Sequence, residues 1–183
     1  QNFSISDLDS KSMIIRAIFC ATSDLAAMAA TPYCMFISIM TPKDKKKQFF
    51  KNISEGIREA SNIIGISLAG GDLTSYHGPL AVSVTVVGRK KPFKKVLLRK
   101  GGKVGDYIGV TGCIGDAYIG LKVLEKKITI SDQKQKKNVI NSFLFPPQLH
   151  KFASYLSKYA KSCIDVSDSL IEDIKKLGNF ANI

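Results

Sequence analysis

The chain has 183 residues, of which 45% are hydrophobic and 23% are charged, as in folded globular proteins rather than disordered or fibrous ones. No apolar run approaches the roughly 20 residues that span a bilayer, so the sequence predicts a cytoplasmic protein without membrane segments. The net charge of +12 comes mainly from lysine runs without aromatic neighbours, which favours solvated lysines over a nucleic-acid partner but leaves room for a small anionic substrate.

The first half of the chain predicts the order α, β, α, β, β. A buried helix over residues 10–30 is ended by Pro32. "YCMFISIM" (33–40) is β-rich, and an amphipathic helix with apolar residues at helical spacing runs to Gly65. "ISLAGG" (66–71) then predicts a short strand that ends in a turn at Asp72, and "LAVSVTVVG" (80–88) predicts a longer strand.

The segment "RKKPFKK" (89–95) has the charge and the proline of a linker. It divides the chain into two predicted domains, residues 1–90 and residues 91–183. In the second domain, "DYIGVTG" (106–112) predicts a strand that leads through a glycine turn to a helix from about Asp116. A helix over 146–161 follows, and "SCIDVSDSLIEDIKKLG" (162–178) repeats the order of strand, acidic turn and helix.

Four separated cysteines, with no C-x-x-C pair, indicate reduced thiols rather than a zinc site or a disulfide framework. No nucleophilic triad, Walker A loop or G-x-G-x-x-G motif is present. The remaining candidates for a functional site are acidic residues in unusual positions.

Asp24 lies in the predicted buried helix, where an unpaired carboxylate would lose favourable hydration. Either this face opens onto a polar cleft, or a cation accompanies the charge, or the aspartate sits near a frayed helix end. Asp72 follows two glycines at the predicted end of a strand, where α/β sheets often bind ligands, although Gly-Asp is also an ordinary turn dipeptide.

Asp165 and Asp168 flank a predicted strand-to-helix junction, and two such close carboxylates repel unless a cation shares them. Helix capping is the alternative, because Ser169 and Glu172 form an S-x-x-E capping box. Capping does not explain Asp165. The residues on their own thus support a Mg²⁺ and phosphate site built from scattered aspartates.

Four motifs in one order resemble the thiamine-monophosphate kinases, a family of the aminoimidazole ribonucleotide synthetase-like superfamily. They are "SDLAAMAATP", "GGDLTS", "LLRKGGKVGDYIGVTGCIGD" and "IDVSDSLIEDI". The resemblance implies a two-lobed α/β fold, with an N-terminal lobe that contributes strands to the barrel of a homodimer. It also implies a Mg²⁺-dependent transfer of the γ-phosphoryl group of ATP to thiamine monophosphate, which gives thiamine diphosphate.

Carried over motif by motif, the resemblance assigns Mg²⁺ binding to Asp24, Asp72, Asp165 and Asp168. It assigns nucleotide contacts to Gly71, Asp72, Arg99 and Ser167. It gives no residue a direct part in bond making.

Departures from the family pattern limit the carry-over. Asn2 stands where the family usually has histidine, while Ala29 and Ser169 stand where it has glycine. The family's early acidic segment is expected before Gln1, and a substrate-binding portion is expected after Ile183. The alternatives are another ATP-using member of the superfamily, or an inactive remnant that serves as a binding module.

Overall fold

The fold was obtained as a computed structural model, which describes residues 8–90 and 95–181. The first half forms a helical layer against a mixed sheet. Its elements are α1 (Ser10–Ala27), β1 (Thr31–Pro42), α2 (Lys47–Ile64), β2 (Ser67–Tyr76) and β3 (Ala81–Arg89). The sheet has the order β2-β1-β3, in which β1 is parallel to β2 and antiparallel to β3. The predicted order of elements in this half is confirmed.

The core lies between the sheet and the two helices. Alternate residues of β1, namely Met35, Ile37 and Ile39, are buried on the side of α1, which contributes Ile14 and Ile18. This alternation is the period of a strand with one covered face. α1 ends at Ala27, five residues before Pro32, and α2 ends where Gly65 adopts a left-handed conformation with φ of 76°.

The predicted turn at Asp72 is wrong, because β2 continues through it to Tyr76. The pairing with β1 sustains the strand, with Asp72 opposite Ser38. A Cβ atom on Gly71 would lie 2.1 Å from the Ile37 carbonyl oxygen, so the close approach of β1 accounts for glycine at this position.

The second half is helical in the described residues. Its helices are α3 (Asp116–Leu124), α4 (Gln133–Leu144), α5 (His150–Tyr159) and α6 (Leu170–Ala181). α3 and α4 pack together, and α4 and α5 contact α1. The Arg16 guanidinium of α1 stacks over the Phe143 ring at 3.8 Å and donates to the Phe143 carbonyl. Thr22 of α1 donates to Gln148 Oε1 at 2.9 Å. α1 thus joins the two halves.

The strands predicted at 106–112 and at the start of 162–178 are wrong, since the described residues there form no ladder. Tyr107 is fully exposed and Ile108 is 64% exposed, so these β-prone residues have no neighbouring strand among the described residues. The domain boundary after residue 90 stays a prediction, because residues 91–94 lie outside the described ones. Among the described helices, none has the length and apolarity needed to cross a bilayer.

Candidate functional site

A cavity of about 260 Å³ opens beside the C-terminal end of α1. Two backbone hydrogen bonds bring its walls together. The Leu97 N–H donates to the Met28 carbonyl at 3.1 Å, and the Cys163 N–H donates to the Leu98 carbonyl at 3.0 Å. Two segments that are far apart in sequence therefore lie side by side against the end of the helix. The cavity is lined by Asp24, Ala27, Met28, Leu97, Leu98, Arg99, Cys163, Ile164 and Asp165.

Two carboxylates and one guanidinium give this cavity its charge. Asp165 accepts a hydrogen bond from the Ser23 hydroxyl at 2.8 Å, and Arg99 Nη2 lies 3.9 Å from Asp24 Oδ1. Burial, and then the charge of Asp165, raise the pKa of Asp24 above its usual value, while Arg99 opposes the rise. The carboxylates repel each other, and a cation held between them would relieve that repulsion.

The donor set suits Mg²⁺, which prefers oxygen ligands and often uses one or two carboxylates together with waters and substrate phosphates. Asp24 and Asp165 offer such a pair. Across residues 8–90 and 95–181, no three His, Cys, Asp or Glu side chains are grouped so as to hold a metal ion. The structure thus brings Asp24 and Asp165 together, whereas the metal roles of Asp24, Asp72, Asp165 and Asp168 stay predictions.

The acidic segment before α6 is held by a second ion-pair network. Asp168 Oδ2 lies 2.7 Å from Lys176 Nζ, which also lies 2.8 Å from Asp173 Oδ1. Asp173 Oδ2 accepts from the backbone N–H groups of Ser167 at 3.0 Å and Asp168 at 3.3 Å. The two carboxylates hold the pKa of Lys176 at about 12. This network fixes the backbone of two residues that the resemblance places at the nucleotide and the metal.

Capping also contributes at this helix, as the sequence predicted. The Ser169 hydroxyl accepts from the Glu172 N–H at 3.1 Å. The Glu172 carboxylate pairs with Lys175 at 2.9 Å. Capping leaves Asp165 unexplained, and the structure accounts for it by the cavity and the Ser23 hydrogen bond.

Asp173 is a residue that the sequence reasoning missed. It is only 1% exposed, although Asp is seldom buried without a partner. A signal was present, because Asp173 lies three residues after Leu170 and four before Leu177, on the apolar stripe of α6. Burial alone would raise the pKa of Asp173, but Lys176 and the two backbone donors hold it below the usual value.

Asp72 and Gly71 do not line the cavity. Asp72 pairs with Ser38 in the sheet, so it lies on the face opposite to the buried Ile37 and Ile39 of β1. Its carboxylate accepts from the Thr74 hydroxyl at 2.9 Å. Asp72 is thus presented on the sheet face that α1 and α2 leave uncovered.

Residues 3–90 match the family model described as "AIR synthase related protein, N-terminal domain". The chain is 32% identical over 173 residues to the thiamine-monophosphate kinase of Escherichia coli strain K12, a match that covers 94% of this chain and 52% of that protein. The chain thus spans about half the length of the curated relatives it matches.

Solved structures show the same fold. The thiamine-monophosphate kinase from Stenotrophomonas maltophilia K279a has a TM-score of 0.83 at 25% identity, covering 94% of this chain and 55% of that one. The structure described as "AaThiL complexed with AMPPCP and TMP" has a TM-score of 0.87 at 23% identity, covering 96% and 55%. The predicted mixed α/β fold is therefore confirmed, whereas the dimer barrel stays a prediction.

Proposed function

Because the chain carries an AIR synthase related N-terminal domain over residues 3–90 and resembles thiamine-monophosphate kinases over most of its length, we propose that the protein phosphorylates thiamine monophosphate with ATP. The product is thiamine diphosphate, made in the cytoplasm. The observation that carries the proposal is the cavity in which Asp24, Asp165 and Arg99 meet. A structural relative described as complexed with AMPPCP and TMP supports a nucleotide site and a second ligand site.

The residues of the cavity suit phosphoryl transfer, in which the protein mainly positions the reactants and neutralises charge. Bound Mg²⁺ supplies charge neutralisation at the phosphates. Asp24 and Asp165 would hold that ion, and Arg99 is near enough to Asp24 to meet a phosphate beside it. Ser167 and Asp168 lie three residues or fewer after Asp165, so they extend the same acidic segment toward the nucleotide.

Gly71 and Asp72 complete the proposed site from the sheet. On its uncovered face Phe36 is 45% exposed and Met40 is 42% exposed, on the same side as Asp72. Isolated apolar residues on a surface are common, but a row of them beside a carboxylate on one strand face favours an interface. We place the homodimer contact there, which would bring Asp72 close to the partner subunit. The lobes of each subunit are residues 1–90 and 91–183.

The decisive experiment is an ADP-release assay on the whole protein with ATP, Mg²⁺ and thiamine monophosphate. Thiamine monophosphate is expected to stimulate ADP formation. Asp165→Asn and Asp72→Asn are expected to lower turnover by about two orders of magnitude or more, because stabilisation of phosphate charge is lost. Asp44→Asn is the matched control, since Asp44 is exposed and has a positive φ of 62° that asparagine tolerates.

Three results would count against the proposal. Stimulation by a different acceptor, and not by thiamine monophosphate, would move the protein to another branch of the superfamily. Binding of Mg²⁺–ATP without any turnover would indicate a binding module. Full activity of Asp165→Asn would remove the cavity from the mechanism. The elution mass of the same preparation tests the dimer.

A further inference from the structure

We propose that Asp173 is a positioning residue, which holds the backbone of Ser167 and Asp168 in the conformation that binds ligand. Its carboxylate is the acceptor for both backbone N–H groups, at 3.0 and 3.3 Å. The proposal rests on the proposed function for the ligands concerned. The hydrogen bonds themselves do not depend on it.

Burial makes Asp173 suited to this task. Its side chain is 1% exposed, so water does not compete for its oxygens, and hydrogen bonds to a buried charge are stronger than neutral ones. The two carboxylate oxygens have different partners. Oδ2 accepts hydrogen bonds from the backbone N–H groups of Ser167 and Asp168, and Oδ1 accepts one from Lys176 Nζ. The carboxylate therefore anchors the segment without being available to bind ligand itself.

Lys176 extends the anchor to a side chain. Its ammonium group lies 2.8 Å from Asp173 and 2.7 Å from Asp168, and so bridges the buried acid and the exposed one. The bridge limits the orientations of the Asp168 carboxylate, whose own exposure of 64% would otherwise leave it free to rotate. Asp173 thus controls both the backbone and, through Lys176, the carboxylate of Asp168.

Neighbouring residues on α6 provide matched controls. Glu172 and Lys175 form an ion pair of 2.9 Å with the same spacing of three residues as the pair of Asp173 and Lys176. Among the described residues, the hydrogen bonds and ion pairs of these two side chains join them to each other and not to the acidic segment. Removal of the Glu172 carboxylate therefore changes the charge of α6 by the same amount without removing the anchor.

The experiment measures two quantities on the whole protein: the hydrogen-exchange rates of the Ser167 and Asp168 amides, and the affinity for Mg²⁺–AMPPCP by calorimetry. In Asp173→Ala both amides are expected to exchange about tenfold faster or more. The affinity is expected to fall by about 10- to 100-fold, as for other residues that orient ligands indirectly. Glu172→Ala is expected to change either quantity by less than about twofold.

Asp173→Asn keeps an acceptor oxygen but lacks the charge, so its amides are expected to exchange at rates between those of the wild type and Asp173→Ala. If Asp173→Ala does not fold, the test rests on Asp173→Asn. Exchange rates of the Ser167 and Asp168 amides equal to those of the wild type would then overturn the proposal. Faster exchange with unchanged affinity would also overturn it. A wild-type protein that does not bind Mg²⁺–AMPPCP defeats the proposed function instead, and the exchange rates alone then decide whether Asp173 positions the segment.

Discussion

Replacement of Asp24 by asparagine is expected to stabilise the protein at neutral pH when no divalent cation is present. The pKa of Asp24 is raised, first by burial and then by the charge of Asp165. A carboxyl group whose pKa is raised on folding contributes stability that is complete below its unfolded pKa and is lost as the pH rises through its folded pKa. At pH 7 the ionised Asp24 carboxylate therefore destabilises the folded protein, and the neutral side-chain amide of Asp24→Asn does not.

The expected gain is small, because the Asp24 side chain is 62% exposed. Although one pKa unit corresponds to about 1.4 kcal/mol, solvent screening limits such exposed interactions to no more than about 1 kcal/mol. In a chain of this size that gain raises the unfolding midpoint by about 1–4 °C. Mg²⁺–ATP at about 100 times its Kd would stabilise the wild type by about 2.7 kcal/mol, or roughly 5–11 °C.

The assay is thermal unfolding at pH 7, with a chelator and then with saturating Mg²⁺–ATP. Asp24→Asn is expected to melt above the wild type with the chelator and below it with Mg²⁺–ATP, because the variant loses a metal ligand. Asp106→Asn is the control of opposite sign. Its carboxylate has a lowered pKa, chiefly through the hydrogen bond from Lys161, so that variant is expected to melt below the wild type in both buffers. A lower midpoint for Asp24→Asn with the chelator would refute the proposed repulsion.

Two further predictions concern the stability of the fold in urea. Gly71→Ala is expected to cost about 2 kcal/mol or more, because its Cβ would lie 2.1 Å from the Ile37 carbonyl oxygen. Gly70→Ala is its control and is expected to cost no more than about 1 kcal/mol, since the Phe36 ring is 3.5 Å away; equal costs would contradict the geometry. Ser169→Ala is expected to lower the free energy of unfolding by about 1 kcal/mol through loss of the α6 cap, and an unchanged urea midpoint would exclude that cap.

Local sequence patterns were enough to predict the order of helices and strands in the first half of the chain. The helical spacing of apolar residues and the left-handed Gly65 determined α2 and its end. The β-rich run at 33–40 determined β1, although the structure extends it in both directions. The resemblance of four ordered motifs identified the fold before any geometry was known. These features depend on neighbours in sequence, so the sequence contains the information needed to predict them.

The secondary-structure predictions that proved wrong share a physical cause, which is that a strand forms only when another strand pairs with it. The pattern at 106–112 has β propensity, yet no described strand pairs with it and Tyr107 is fully exposed. Conversely, the glycines before Asp72 read as a turn, but pairing with β1 holds them in a strand. Propensity is local, whereas hydrogen-bond ladders join residues that are distant in the chain.

The amino-acid sequence by itself determined which residues are unusual: an aspartate in an apolar helix, another after two glycines, and a pair before α6. Only the tertiary structure decided which of them meet. Asp24 and Asp165 are brought together because backbone hydrogen bonds align two distant segments against the end of α1. The spacing of Asp173 on the apolar stripe of α6 indicated its burial, but only packing showed its partners, which are Lys176 and two backbone N–H groups. Charges interact through distance in space, and folding alone sets that distance.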